Sequence, residues 1–307
     1  MSDTGAKNQQ PIQDTGGEVM PVEYEVDIGD TAIRILEWEG SGPPLLMLHA
    51  TGFFPWMWHP IARKLAGDYR VVAPYFCSHR RAEPESGGLS WEQLAADVAA
   101  LCSRLEMQRP YAVGHSMGGA VLTIAGGKLG VPFSRMILIE PILLPEEVYG
   151  ITIGVSDHPL ARKSIKRRNF WKDGQAVRDY LESKSFFRSW DAEMLTLYSR
   201  HAIVAGDEGG FTLACQPRQE ASLFMGSMAI NPWPLMPQID TPVLLLEGET
   251  SENRGFIDLE GAAKRFPNGN YRLIQGAGHL IPMEMPADTL DIIKDFFSSA
   301  SFRLSIQ

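Results

Sequence analysis

The residues best suited to chemistry are Gly114-His115-Ser116-Met117-Gly118, inside Tyr111–Gly119, YAVGHSMGG. A short apolar strand, residues 110–113, runs into them, and a helix-compatible run, Ala120 to Lys128, follows. The pattern fits the G-x-S-x-G nucleophile elbow, a sharp strand-to-helix turn. Gly114 and Gly118 flank Ser116 because a side chain there would block the approach of strand and helix. The turn lifts the Ser116 hydroxyl clear of the sheet edge and puts the Met117 N–H at a helix N-terminus, where developing negative charge is stabilised. A serine hydroxyl is a poor nucleophile at neutral pH, so a base within reach and a group orienting that base are required. Of the seven histidines, His279 has the context that suits a base: it ends Gly276-Ala277-Gly278-His279, after the last expected strand.

GHSMGG resembles the elbow of the α/β-hydrolase superfamily, and the resemblance runs from about Val22 to about Phe297. It implies a doubly wound, mostly parallel α/β sheet with an inserted, mainly helical cap. It also implies a Ser116–His279–acid triad working through an acyl-enzyme. His49-Ala50-Thr51-Gly52-Phe53 stands where the superfamily has its His-Gly-x oxyanion loop, with Ala50 for the usual glycine. By that register Thr51 joins Met117 as an oxyanion donor, and His49 is a structural hydrogen-bonder beneath the loop. The common acid position, Gly-x-x-Asp, falls on Ser251, which cannot orient an imidazolium. Glu252 is one residue on. The other known acid position, after the sixth strand, falls on Glu140. Geometry favours Glu140. A helix of about 13 residues rises roughly 20 Å and a strand of about six residues returns as far, so Glu140 reaches the same sheet edge as Ser116. Glu140 and Glu252 both remain open. The stretch after residue 74, YFCSHRR, departs from the superfamily's Asp-x-Arg-Gly-His-Gly, and His79 there reads as a loop histidine.

The remaining elements must position these groups. Residues 1–20 read as a disordered tail, residues 21–144 and 238–307 as the α/β core, and residues 145–237 as the cap. Two alternating runs around Gly29-Asp30 predict a hairpin. Unbroken apolar runs at 45–48, 136–139 and 243–246 predict strands buried on both faces. Helices are expected over Trp56–Ala66, Trp91–Leu105 with Ser90 and Gln93 as a capping box, 256–266 and 286–297. The basic run RKSIKRR at 162–168 reads as a solvated face. Trp56, Trp58, Phe187, Trp190 and Met225 are the expected substrate contacts, suiting a medium-sized, largely apolar ester, lactone or amide. C–C bond hydrolysis by the same triad, or a receptor without catalysis, remain alternatives.

Composition narrows the partners. The chain has 307 residues and a formal net charge of −9, which argues against nucleic acid. No apolar run is long enough to span a bilayer, and the N-terminus lacks a secretory h-region. The expectation is a cytoplasmic protein with a small-molecule substrate and no membrane partner. Cys77, Cys102 and Cys215 show no metal-ligand spacing and read as three reduced thiols. Gly126-Gly127 and Gly209-Gly210 lack a dinucleotide-binding context, so neither cofactor nor metal is expected.

Overall fold

The computed structural model describes residues 19–207 and 209–299. The sequence-predicted tail therefore lies almost wholly outside the described residues. Chain order begins with β1 (Val22–Asp27), β2 (Ala32–Trp38) and β3 (Pro44–Leu48), then α1 (His59–Leu65) and β4 (Arg70–Pro74). Next come α2 (Trp91–Arg104), β5 (Tyr111–His115), α3 (Met117–Leu129) and β6 (Met136–Ile139). The insertion that follows holds α4 (Pro159–Ile165), α5 (Gly174–Glu182), α6 (Ala192–His201), β7 (Ile203–Ala205), β8 (Phe211–Leu213) and α7 (Pro217–Met225). The chain returns with β9 (Val243–Gly248), α8 (Leu259–Ala263), β10 (Gly269–Ile274), α9 (Ile281–Glu284) and α10 (Pro286–Ser298).

One eight-stranded sheet runs β1-β2-β4-β3-β5-β6-β9-β10. The pairs β1/β2 and β2/β4 are antiparallel and the rest are parallel. The unbroken apolar runs form β3, β6 and β9 because helices cover both faces, leaving no solvent side for alternation. Two hydrophobic clusters lie on the two faces. The strand order reverses between β3 and β5, so their C-terminal ends open the crevice where such sheets bind ligands.

Register aligns those ends. Leu48 pairs with Gly114, His115 with Ile139, and Ile139 with Leu246. The ladder continues one step, Ser116 N–H donating to Ile139 O at 2.9 Å and Glu140 N–H to Leu246 O at 2.8 Å. Ser116 and Glu140 are thereby neighbours on one edge.

Several elements differ from expectation for local reasons. α3 begins at Met117, not Ala120, because Gly118 and Gly119 sit where the helix meets neighbouring backbone. A Cβ on Gly118 would lie 2.4 Å from the Leu48 carbonyl oxygen. The run from Trp56 splits into a 3-10 turn, Pro55–Trp58, and the short α1, with Pro60 at the start of the latter. Ser90 caps α2 by accepting from Glu92 N–H at 3.1 Å, while Gln93 turns to Asp97 instead of closing a capping box.

One expectation is overturned. Cys77 and Cys215 form a disulfide, with Cα atoms 5.6 Å apart, and only Cys102 is a free, buried thiol. The partners are 138 residues apart, and the insertion folding back onto the loop after β4 brings them together. None of the described helices is long and apolar enough to cross a membrane.

Candidate active site

Ser116 closes β5 and stands at the N-cap of α3, with φ 56° and ψ −113°. That conformation is strained for an L-residue and persists because its surroundings dictate it. Gly114 makes it possible: a Cβ there would fall 2.6 Å from Gly118 backbone atoms. The side chain of Ser116 leaves the sheet edge at the positive end of the α3 dipole.

His279 Nε2 lies 3.1 Å from Ser116 Oγ. On the other side of the ring, His279 Nδ1 lies 3.0 Å from Glu140 Oε2. Glu140 is 1% exposed, and burying a carboxylate is costly without partners. It has them: Gly248 N–H donates to Oε1 at 2.6 Å, and Ser251 O–H donates to Oε2 at 2.8 Å. Of the two acids left open by the sequence, Glu140 is the one against His279. Glu252 is exposed on the 3-10 turn Glu252–Gly255. The contact that this turn makes with His279 comes from Asn253, whose Nδ2 lies 2.9 Å from Nδ1.

The profile of the alpha/beta hydrolase family matches residues 45–292. The chain belongs to that family. It is similar to 2-(acetamidomethylene)succinate hydrolase of Mesorhizobium japonicum, 22% identical over 280 residues that make up 91% of this chain and 96% of the relative. An abhydrolase domain-containing protein of Alternaria alternata is 27% identical over 229 residues, 62% of this chain and 84% of that one. Among solved structures, E-2-(acetamidomethylene)succinate hydrolase superposes with a TM-score of 0.77 at 20% identity, covering 91% of this chain and all of that one. The thioesterase domain from the curacin biosynthetic pathway gives 0.73 at 19% identity, covering 89% and 99%.

In this α/β hydrolase, Thr51 and Met117 follow β3 and β5, which pair directly. Thr51 is in a turn closed by Phe53 N–H donating to Ala50 O at 3.1 Å, and Gly52 in it has φ +77°. His49 fixes the turn from beneath. Its Nδ1–H donates to Ala50 O at 2.8 Å, and its Nε2 accepts from Phe76 N–H at 3.1 Å. Burial pushes the imidazole down to about 4, so it is neutral in that role.

Two supports of the site carry no sequence signal of their own. His115 is buried beside Ser116, and its Nε2–H donates to the His279 carbonyl at 2.9 Å, tying the loop that bears His279 to β5. Burial, and then the neighbouring His279, push His115 down to about 3. The second is Ser251, whose hydroxyl donates to the Glu140 carboxylate.

The five expected substrate contacts do not converge equally. Phe187 and Trp190 join Tyr198 in an aromatic cluster, and Trp190 and Tyr198 reach Phe53, two residues beyond Thr51. Asp191 N–H donates to Met283 O at 2.9 Å, so this part of the insertion also rests on the segment after His279. Trp56 stacks on His201 at 4.1 Å, joining the core to α6. Trp58 is buried, its indole N–H lacking a partner among the described residues. Met225 packs with Ala161 and Ala221 at the α4–α7 contact, apart from the aromatic cluster. The basic run is not wholly solvated. Arg167 NH1 donates to both Glu220 carboxylate oxygens at 2.7 Å, and NH2 to Tyr198 OH at 3.3 Å. Glu220 presses on the turn that bears Thr51: a Cβ on Gly52 would meet its Oε1 at 2.3 Å. His79, read as a loop histidine, pairs with Asp97 at 2.8 Å and lies away from Ser116's partners.

Proposed function

We propose that this α/β hydrolase is a serine hydrolase acting through an acyl-enzyme on a medium-sized, largely apolar ester, lactone or amide. The observation that carries the reading is the continuous path from Ser116 Oγ through His279 to Glu140, at 3.1 and 3.0 Å. His279 Nε2 takes the Ser116 proton as Oγ attacks the substrate carbonyl. Glu140 stabilises the imidazolium that forms without itself taking the proton. The Thr51 and Met117 N–H groups hold the oxyanion, in a site where fixed donors need no reorganisation. His279 then returns the proton to the leaving group. Water, deprotonated by the same imidazole, releases the acid and regenerates Ser116.

The substrate class rests on the aromatic wall of Phe53, Phe187, Trp190 and Tyr198 beside the oxyanion turn. Such surfaces suit an apolar acyl or alcohol portion. Ser116 is 6% exposed, and the His279 side chain beside it is 28% exposed, so solvent reaches the pair from the imidazole side. Against the alternative of a receptor without catalysis stands the Glu140 carboxylate at His279 Nδ1, a role that Ser251 has no charge to fill.

Fluorophosphonate labelling with mass spectrometry on Ser116 tests the reaction class. A panel of p-nitrophenyl esters of increasing chain length tests the pocket. Labelling at Ser116, lost in Ser116→Ala and His279→Ala, is the expected result. An unlabelled, folded wild type that turns over no ester would overturn the proposal.

A further inference from the structure

His279 Nδ1 has two polar neighbours at nearly equal range: Glu140 Oε2 at 3.0 Å and Asn253 Nδ2 at 2.9 Å. A ring nitrogen offers one proton or one lone pair, not both. With the proton on Nδ1 it donates to Glu140, and Nε2 is free to accept from Ser116. With the proton on Nε2, Nδ1 accepts from the Asn253 amide, and the ring presents an N–H to the hydroxyl it should deprotonate. The Asn253 amide nitrogen also lies 3.4 Å from Glu140 Oε2. Half a turn of the carboxamide would set its Oδ1 against the Glu140 carboxylate, so the amide nitrogen stays inward and donates to Glu140 or to Nδ1, whichever has the free lone pair. The side chain is held there because Asn253 N–H donates to Ser251 Oγ at 3.3 Å, the same hydroxyl that donates to Glu140.

We infer that Asn253 is a positioning residue that shares His279 Nδ1 with Glu140, and that its side-chain site can itself carry the acid of the triad. The inference rests on the serine-hydrolase reading. Charge decides which neighbour wins in the native chain. A hydrogen bond to an ionised carboxylate is roughly twice as strong as a neutral one, so Glu140 sets the productive tautomer and Asn253 steadies the ring from the side. A carboxylate at 253 would do what Glu140 does, from the loop after β9 instead of the end of β6.

The test combines an activity readout with one independent of activity. The expected loss for Glu140→Gln is about 10⁴-fold in kcat, by the tautomer argument. Adding Asn253→Asp to that variant is expected to recover at least about tenfold, and Asn253→Asp alone to move the acidic limb of the kcat/KM profile to higher pH. Asn253→Ala should lower kcat about tenfold with KM little changed, inside the ~10²-fold that a misplaced reacting group costs. The other ionisable groups around the His279 loop are His115, whose ring centroid is 5.2 Å from that of His279, and two carboxylates bound to its backbone. Glu284 accepts from Gly278 N–H and Glu249 from Gly276 N–H. Glu249→Gln and Glu284→Gln serve as controls for a general charge effect.

Nitrogen-15 NMR of labelled histidine in Ser116→Ala reads the His279 tautomer directly, whether or not a substrate is known. Asn253→Ala should change the proportion of Nδ1–H and Nε2–H forms. Equal tautomer populations with and without Asn253, or a folded E140Q/N253D no faster than E140Q, would overturn the inference. If wild type neither labels at Ser116 nor cleaves any ester, the serine-hydrolase reading fails instead, and the NMR result still decides whether Asn253 governs the ring.

Discussion

Reduction of the Cys77–Cys215 bond should destabilise the protein by an amount that follows from its loop. The bond closes 138 residues of chain, from the loop after β4 to the segment before α7. The chain-entropy estimate for a loop of that length is about 5 kcal/mol, an upper value because measured disulfides usually contribute about 2–4 kcal/mol. Local packing around the bond survives reduction. Trp91 Nε1–H donates to Leu223 O at 2.8 Å, Leu89 N–H to Ser222 O at 3.0 Å, and Arg218 bridges Glu83 and Glu85. Those contacts keep α7 on the core, so the loss falls on unfolding of the whole and not on detachment of the insertion. Urea titration of wild type with and without a dithiol reductant, and of a Cys77→Ala/Cys215→Ala variant, measures it. A fall of about 2–5 kcal/mol is expected, or roughly 3–8 °C in Tm at this size. Cys102→Ala should show no reductant effect beyond that of wild type. Thiol titration of the unreduced, denatured chain should find one free thiol. Three free thiols, or identical urea midpoints with and without reductant, would refute the assignment.

Gly52→Ala should lower kcat and stability together, because φ +77° costs an L-residue about 1–2 kcal/mol and the new Cβ collides with Glu220. Wild-type turnover in a folded Gly52→Ala would dismiss the contact. Arg167→Met strands the buried Glu220 carboxylate and should cost about 3 kcal/mol, the low end for such pairs, since the Arg167 side chain is 27% exposed. Restoring much of that loss in Arg167→Met/Glu220→Gln, by a double-mutant cycle, is the check. Stability should also fall with acid through His49 and His115, both held neutral by burial, near 4 and near 3. Their folded values lie below the unfolded value of about 6.5. The unfolded chain therefore binds protons first, and stability complete above pH ~6.5 is lost on descending toward 4. The urea midpoint should drop between pH 7 and pH 5, and a shallower drop in His115→Asn would assign part of it.

What could be read from the residues alone was whatever chemistry imposes locally. An elbow needs small residues on both sides of its serine, so Gly114 and Gly118 announce Ser116. A histidine that must turn back toward an elbow from the end of a tight loop needs glycine before it, so Gly276 and Gly278 announce His279. Unbroken apolar runs announce strands covered on both faces. Pairings across long stretches of chain leave no such trace. Cys77 and Cys215 looked like unrelated thiols because nothing near either residue depends on the other. Arg167 looked like one charge among several in RKSIKRR, and only the fold of the insertion brings Glu220 against it. His115 belongs to the elbow motif, yet its bond to the His279 carbonyl spans 164 residues.

Glu140 shows where the boundary falls. Rise per residue was enough to return Glu140 to the edge that bears Ser116, because strand and helix lengths are nearly invariant. It could not eliminate Glu252, since the choice depends on backbone angles at one residue. Glu140 has φ 47°, as unusual for a non-glycine as the 56° of Ser116, and the two stand at the ends of adjacent strands. Each such angle costs about 1–2 kcal/mol. At Ser116 the motif advertises the strain through its glycines. At Glu140 the compensation is distributed over Leu246 O, Gly248 N–H and Ser251 O–H, all more than 100 residues away in sequence. At that angle the Glu140 carboxylate stands 3.0 Å from the imidazole. Replacing Ser251 by alanine removes one donor to that carboxylate and should slow turnover without altering Ser116 labelling at saturating probe. Labelling and turnover falling in proportion would instead mean that Ser251 holds the whole edge together, serine included.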